Sequence, residues 1–396
     1  MTWVIVSTIA LFASLGVAFW VHNQHQMAIR IQPAAPPAGE QPSGALQVIS
    51  VIVPARNEQR NIAACLAALQ AQTYPNLEII AVDDRSSDRT PAILAELAAN
   101  DPRVRVIAGR ELPAGWAGKP HALWQGAQAA SGEWLCFIDA DTFARPELIA
   151  SAYAAALAHQ ASLLTLLTDQ RLESFWEKTI LPLVFTALSV GFSPRRVNDP
   201  SRPDAIANGQ FMFFHAPAYQ AIGGHQAVAD SIVEDRDLAR RVKAAGLRLV
   251  VADGRAVAAT RMYTRFSEIW EGWTKNIFLG LSDDPRLAWL GVLGALLCFL
   301  GAFGLPGWVL AGLLWLPNGG GAMAALVVLQ AAIAILYLVY WRLQAAQAMR
   351  ISPWYAFSFP LGALIFGAMM VNSAYRVLSG RGVTWKGRQY RAAKKI

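Results

Sequence analysis

At 396 residues the chain exceeds the roughly 100–200 residues of one typical domain, and it is 55% hydrophobic with only 15% charged side chains, against about 25% charged in soluble globular proteins. That balance excludes a disordered or fibrous chain and argues against an ordinary soluble enzyme. The net charge of +7 is carried by Arg376, Arg381, Lys386, Arg388, Arg391, Lys394 and Lys395, with no acid among them, so the rest of the chain is neutral. A basic block beside an apolar segment reads as a cytoplasmic membrane flank rather than a nucleic-acid surface.

The elements follow in chain order. Thr2–Val21 is apolar and uncharged, about the 20 residues a bilayer-spanning helix needs. Residues 1–22 are read as a retained anchor; a cleaved signal peptide is the rival, but a basic leader and a small-residue cleavage site are both missing. Residues 23–45 contain the run PAAPPAGEQPSG and read as a proline-stiffened linker. From 46 to 285 short β-rich runs (48–54, 77–84, 104–108, 134–141) alternate with helical stretches (58–72, 87–100, 119–130). This is the pattern of an α/β domain with a mostly parallel sheet and helices on its faces. Ligands of such sheets bind beyond the carboxyl ends of the strands. Asp83, Asp84, Asp139 and Asp141 fall at those ends.

Residues 174–192 are apolar, with Glu177 and Lys178 at one end and Pro182 inside. They read as an interfacial helix lying on a membrane, or as a buried core helix. Residues 193–208 suit either a mobile lid or an inert surface loop. Beyond 286 the apolar runs 287–316, 323–341 and 353–375 form a membrane region, followed by the basic tail 376–396. Three full crossings would carry that tail to the side opposite the 46–285 domain, against the positive-inside bias. Either 287–316, interrupted by GLPG at 304–307, is therefore not a simple span, or 353–375, broken by Pro360, dips in and returns; the charge bias keeps the tail cytoplasmic in both cases.

Several chemistries drop out on motif grounds. The first strand ends in Pro54-Ala-Arg56-Asn-Glu58 instead of a glycine-rich turn, and GxGxxG after a strand and GxxxxGK[ST] are both missing. A dinucleotide oxidoreductase and a P-loop ATPase thus lose their phosphate cradle. The six histidines show no HExxH spacing and there is no GxSxG elbow, which removes support for zinc and serine hydrolases. Cys65, Cys136 and Cys298 are scattered, without a disulfide framework or zinc spacing. Acids at strand ends point instead to a divalent cation holding a phosphate.

Each acidic motif has two readings. Asp139-Ala-Asp141 either caps a strand or offers carboxylates to Mg²⁺ or Mn²⁺. In Val82-Asp-Asp-Arg-Ser-Ser-Asp-Arg-Thr90 a carboxylate caps the next helix or binds a nucleoside; Asp88 can do the first while Asp83 and Asp84 do the second. Glu234-Asp235-Arg-Asp237 either favours a helix dipole or supplies a general base. Arg261, Trp273 and Lys275 belong to a membrane-interface belt or neutralise a leaving diphosphate.

Taken together and in this order, Ser50–Glu58, 82–90, the DAD at 139–141, GQFMFF with AIGG (209–224) and VEDRDLARRV (233–242) resemble the inverting family-two glycosyltransferases of GT-A fold. The segment from Leu112 to Ala122 (LPAGWAGKPHA), the RMY and GWTKN segments and Val383–Tyr390 resemble more narrowly the membrane-bound glycosyltransferases of carotenoid and hopanoid pathways, such as chlorobactene and diaponeurosporenoate glucosyltransferases. Processive cellulose-type synthases fit poorly because QxxRW is absent, with Gly272-Trp-Thr-Lys275 near its place.

The resemblance implies a role for each motif. Pro54, Arg56, Glu58, Asp83 and Asp84 would bind the uridine of a UDP-sugar; Lys119 would hold the nucleotide side; Asp139 would contact sugar or ribose and share the metal with Asp141. Asp235, from the pair with Glu234, would be the base, and Arg261, Trp273 and Lys275 would face the leaving diphosphate. The implied reaction is transfer of a sugar, glucose first, from UDP to a hydroxyl of a lipid acceptor of carotenoid type, with hopanoid, ceramide or diacylglycerol as alternatives. The implied setting is the inner (plasma) membrane, multi-pass, with the catalytic domain cytoplasmic. The non-enzymatic rival is a sugar-nucleotide sensor or scaffold.

Overall fold

The structure is a computed structural model, and it describes residues 8, 29–35, 46–281, 289–319, 321–379, 381–385 and 388–390. The expected N-terminal anchor (1–22) therefore lies outside the described residues apart from Thr8, as do 36–45 of the linker and most of the basic tail. The chain forms two compact units, one of residues 27–171 and 192–262, the other of 1–26, 172–191 and 263–396. This division differs from a single domain over 46–285, because the apolar segment 172–191 and everything beyond Met262 group with the C-terminal helices.

The first unit is built on an eight-stranded sheet. Its strands are β1 (Ile29–Arg30), β2 (Ile49–Ala55), β3 (Leu77–Asp83), β4 (Val104–Ala108), β5 (Trp134–Ile138), β7 (Leu163–Leu167), β9 (Phe211–His215) and β10 (Leu249–Asp253), in the order β1-β10-β7-β9-β5-β2-β3-β4. All neighbours run parallel except β9, which is inserted antiparallel between β5 and β7. β1 shows that ordered structure reaches back into the stretch read as linker, with Ile29 opposite Ala252 and Arg30 opposite Asp253. A second, small sheet joins β6 (Thr142–Ala144), β8 (Asp169–Gln170) and β11 (Ala258–Thr260).

Helices cover both faces of the main sheet, as the alternation of apolar strands and helical runs predicts. Ile49, Val51 and Val53 point to a core shared with Ile62, Leu66 and Leu69 of α1 (Ile62–Gln70), Leu94 of α2 (Thr90–Asn100) and Ile149 of α4 (Leu148–Ala158). Ile52, one residue out of phase, points to the opposite core with Ala122 and Leu123 of α3 (Gly118–Ala129), Tyr219 of α7 (Ala216–Ala221) and Leu238 of α8 (Glu234–Ala244). That switch of face with single-residue steps is the period-two signature of a strand buried on both sides. α3 sits so close to β2 that a Cβ on Gly126 would come within 2.4 Å of Ile52 Cγ2.

Residues 193–208 are tied down rather than left as an open lid. They contain the short helix α6 (Pro194–Asn198). The Asn198 side chain donates to the Val251 carbonyl (2.9 Å) and accepts the Val251 N–H (2.7 Å). Asp204 pairs with Arg196 and Arg202.

In the second unit, α5 (Phe175–Gly191) starts with a reciprocal cap: Glu177 accepts the Ser174 N–H (2.5 Å) while Ser174 Oγ accepts the Glu177 N–H (3.3 Å), the capping-box arrangement. It packs on α9 (Phe266–Leu281) through Phe185 and Trp273, whose ring centroids are 6.0 Å apart. α10 (Trp289–Phe299), a π-helical turn at Leu300–Gly304 and α11 (Leu305–Trp315) form one continuous helix. The GLPG sequence thus does not break the segment. A widened turn just before Pro306 absorbs the missing N–H and the ring. α12 (Gly321–Ala348) and α13 (Phe359–Leu378), the latter preceded by a 3₁₀ turn at Pro353–Ser358, complete the set. Val292–Asn318, Gly321–Ala348 and Pro353–Leu378 are each long and apolar enough to cross a membrane. Gln330, in mid α12, donates to Thr8 Oγ1 (2.6 Å). A hairpin of β12 (Val383–Trp385) and β13 (Arg388–Tyr390) packs on α9.

Candidate active site

The acids converge because the parallel strands end in register. Ala55 of β2 lies opposite Asp83 of β3, which lies opposite Ala108 of β4. Two loops leave these ends and are laced together. Arg56 Nη1 donates to the Asp84 carbonyl (2.7 Å), the Asn57 N–H to Ser86 Oγ (3.0 Å), the Ser87 N–H to Asn57 Oδ1 (2.9 Å) and the Glu58 N–H to Thr90 Oγ1 (2.9 Å). Asn57 and Arg85 both take positive φ, 53° and 57°, so the loops are held in a conformation that costs energy for residues with a side chain. Gly109 is needed where β4 leaves the sheet, since a Cβ there would lie 2.6 Å from the Asp83 carbonyl oxygen.

Within this frame the two readings of the 82–90 segment separate. Asp88 stands one residue before the N-cap Arg89 of α2, and its Oδ1 accepts the Thr90 N–H (2.9 Å) and hydroxyl (2.6 Å). Burial would raise its carboxyl, but the bonds from Thr90 and Gln59 hold it below its ordinary value. Asp83 accepts the Ser86 N–H (3.2 Å) and Asp84 is buried. Asp83, Asp84, Pro54, Arg56 and Glu58 therefore share the C-terminal edge of β2 and β3.

The second cluster is centred on Lys119, in the first turn of α3. Its Nζ lies 2.8 Å from Asp139 Oδ1 and 2.9 Å from Glu234 Oε1. Burial alone would depress the ammonium, but the carboxylates of Asp139, Glu234 and Asp235 outweigh it and hold Lys119 well above its ordinary value. Asp139 follows β5, and burial, with Glu234 and Glu58, pushes its carboxyl up against the pull of Lys119. Asp141 lies two residues on, and its carbonyl accepts the Arg261 N–H at 3.4 Å. Arg261 thus sits beside the DAD turn.

Asp235 opens α8. Its Oδ2 accepts the Gly209 N–H (2.9 Å) and its Oδ1 the Arg236 N–H (2.8 Å). Burial and the adjacent Glu234 raise its pKa to about 6, against the opposing pull of Lys119 and the two N–H donors. A carboxylate near neutrality with its lone pairs partly occupied has the range expected of a general base.

Sequence reasoning missed two positions here. A Cβ on Gly209 would stand 3.0 Å from both Asp235 Oδ2 and Lys119 Nζ, so the glycine lets the backbone pass between acid and cation. Gln210 is buried, and its carbonyl accepts the Asp139 N–H (3.4 Å) and the Thr142 hydroxyl (3.3 Å). The GQ pair opening GQFMFF carried that signal, but β9 had to be placed beside β5 for it to be read. His225 is also buried against this cluster, with Tyr219 Oη 2.8 Å from its Nδ1 and its ring 4.7 Å from Phe137. Burial lowers it to about 3, so it is neutral.

Trp273 and Lys275 fall on α9, in the second unit, whereas the acids and Arg261 belong to the first. Trp273 is buried, and Gly272 is packed against Tyr263. Among the described residues no group of three or more His, Cys, Asp or Glu side chains is gathered as a ready-made metal cage.

Comparison with known proteins agrees with this geometry. Residues 50–223 match the family described as "Glycosyl transferase family 2". The chain is 28% identical over 264 residues to a 4,4'-diaponeurosporenoate glycosyltransferase of Staphylococcus haemolyticus, covering 65% of this chain and 69% of that one. It is 26% identical over 355 residues to the protein of that name from Staphylococcus aureus (strain USA300), covering 88% and 89%. Among solved structures, mannosyltransferase PcManGT from Pyrobaculum calidifontis, in complex with GDP-Man and Mn²⁺, superposes with a TM-score of 0.52 at 18% identity, over 95% of this chain and 98% of that one. With the strand order, the helices on both faces and the acids at the strand ends, these matches show a GT-A-like fold whose residues 50–223 match glycosyl transferase family 2, in a chain similar to the carotenoid glycosyltransferases.

Proposed function

We propose that the protein is an inverting, metal-dependent hexosyltransferase that moves a sugar, glucose first, from UDP to a hydroxyl of a carotenoid-type lipid. The observation that carries this is the arrangement of Lys119, Asp139, Glu234 and Asp235 beside the DAD turn. Asp235, with its pKa near 6, takes the acceptor proton as the oxygen attacks the anomeric carbon opposite the departing nucleotide. Glu234 keeps Lys119 in place through its 2.9 Å ion pair. Lys119 in turn fixes Asp139, and its charge favours an anionic diphosphate close by.

Asp141 and Asp139 are hard oxygen donors, and Mg²⁺ or Mn²⁺ commonly binds through one or two carboxylates plus substrate phosphate oxygens. The donor set present therefore fits a cation completed by the diphosphate, and a relative by fold was solved with Mn²⁺ and a nucleotide sugar. When bound, such an ion offsets the charge that builds on the leaving nucleotide. The laced loops carrying Pro54, Arg56, Glu58, Asp83 and Asp84 form the nucleoside side of the site, and Arg261 stands beside the DAD turn.

In this reading the chain is a multi-pass protein of the inner membrane whose cytoplasmic catalytic domain meets a lipid acceptor; the three helices long and apolar enough to cross a membrane support it. The carotenoid-type acceptor is supported by the names of the relatives. The test is nucleotide release by the detergent-solubilised full chain with UDP-sugars and GDP-mannose, with and without a hydroxylated carotenoid, and mass spectrometry of the product. Release from a UDP-sugar that rises with the carotenoid supports the reading; donor binding without release in any combination contradicts it.

A further inference from the structure

The three long apolar helices do not run as three alternating crossings. Gly294 of α10 lies against Met370, Gly367 against Ala295, and Gly301 against Phe359. α13 is thus antiparallel to the Trp289–Asn318 rod. Gly312 of α11 lies against Val328 and Ala324, and Gly301 also faces Leu338, so α12 is antiparallel to the same rod. Both helices therefore descend in one direction. Between them residues 349–358 climb back along α12, and the Tyr355 carbonyl accepts a bond from Arg342 Nη2 at 3.1 Å.

Depth decides what this means. α13 begins at the level of Gly301, and the rise from Trp289 to Gly301 amounts to about 18 Å of helix at 1.5 Å per residue. A bilayer core is about 30 Å thick. The return turn also carries polar company, since Lys178 Nζ sits 5.6 Å from the Tyr355 ring centre and Arg342 holds its carbonyl. Trp354 and Phe357 of this turn and Leu361 and Leu364 of α13 are nonetheless exposed and apolar.

We propose that residues 353–378 form a re-entrant, one-leaflet element: it enters the bilayer with Trp354 and Phe357 and leaves on the face from which the rod departs. The rod and α12 are the two C-terminal crossings. The basic tail then returns to the starting face, which removes the conflict between span count and charge bias. The partner of the exposed α13 surface is the acyl region of a single leaflet. This inference rests on the membrane localisation proposed above.

The experiment uses the full chain with Cys65, Cys136 and Cys298 replaced by alanine and one cysteine at a time introduced by Asn318→Cys, Ser352→Cys or Ser379→Cys. All three positions are exposed. Sealed vesicles of each orientation are treated with a membrane-impermeant maleimide. Ser352→Cys and Ser379→Cys should label from one face and Asn318→Cys from the other. Labelling of Ser379→Cys from the same face as Asn318→Cys overturns the proposal, since it requires three crossings. In parallel, a C-terminal epitope on the chain with its native cysteines should be digested from the face that exposes Ser379→Cys; protection there overturns it equally. A chain washed off vesicles by alkaline carbonate would instead sink the membrane localisation itself, a result the labelling arms cannot imitate.

Discussion

Gly209 donates its backbone N–H to Asp235 Oδ2 at 2.9 Å, and its missing side chain leaves room for Asp235 Oδ2 and Lys119 Nζ, each of which a Cβ there would meet at 3.0 Å. The glycine thus sets both the orientation of the proposed base and its distance from the neighbouring cation. Gly209→Ala would force one of these groups to move by a few tenths of an ångström. Misplacement of this kind costs about 10–100-fold in rate, so kcat should fall by that factor with donor KM little changed. An unaltered kcat would show that the close approach has no bearing on turnover.

Asp235 predicts the pH profile. With its carboxyl at about 6, the base is ionised above that value, and kcat/KM should drop about tenfold per pH unit below it. Asp235→Asn should remove this limb along with nearly all activity. A profile flat from pH 7 to pH 5 would assign the base elsewhere.

The same shift predicts an opposite effect on stability. The folded chain binds the Asp235 proton more tightly than the unfolded chain does, so ionisation costs stability as pH rises from the ordinary carboxylate range through about 6. Asp235→Asn should therefore raise Tm at pH 7.5 and leave it nearly unchanged at pH 4, provided the bonds from Gly209 and Arg236 survive. A Tm lowered at both pH values would mean that those two N–H bonds outweigh the burial cost.

Lys119→Met should leave Asp139 and Glu234 facing each other without their shared cation. About a third of the lysine side chain is exposed, so the cost is discounted to about 1–3 kcal/mol from the value for a fully buried pair. Adding Glu234→Gln should recover part of that loss without restoring transfer. Thermal melts and turnover of the two variants together check this; equal recovery of both would reduce Lys119 to a purely structural role.

Much of the catalytic unit was legible in the sequence because parallel strands buried on both faces announce themselves as short apolar runs. β2, β3, β4 and β5 lie within a few residues of their expected limits, and Asp83, Asp84, Asp139 and Asp141 end where strand-end logic puts them. β9 escaped because its register against β5 is a long-range choice that FMFFH alone does not encode. For the same reason Gly209 and Gln210 went unnamed although they touch Asp235 and Asp139. Ile29 and Arg30 were hidden by the proline-rich stretch that follows them. The GLPG interruption read as a break because a π-turn that accommodates Pro306 has no local sequence signature.

The central claim is tested most directly by donor turnover in the wild-type chain, Asp235→Asn and Asp141→Asn, measured as nucleotide release with Mn²⁺ and with EDTA. Turnover should require metal in the wild type and fall at least 100-fold in Asp235→Asn, whose donor binding by calorimetry stays intact. Asp141→Asn should need far more Mn²⁺ to reach the same rate. Full turnover in Asp235→Asn, or wild-type rates unchanged by EDTA, would contradict the assignment of the base or of the cation.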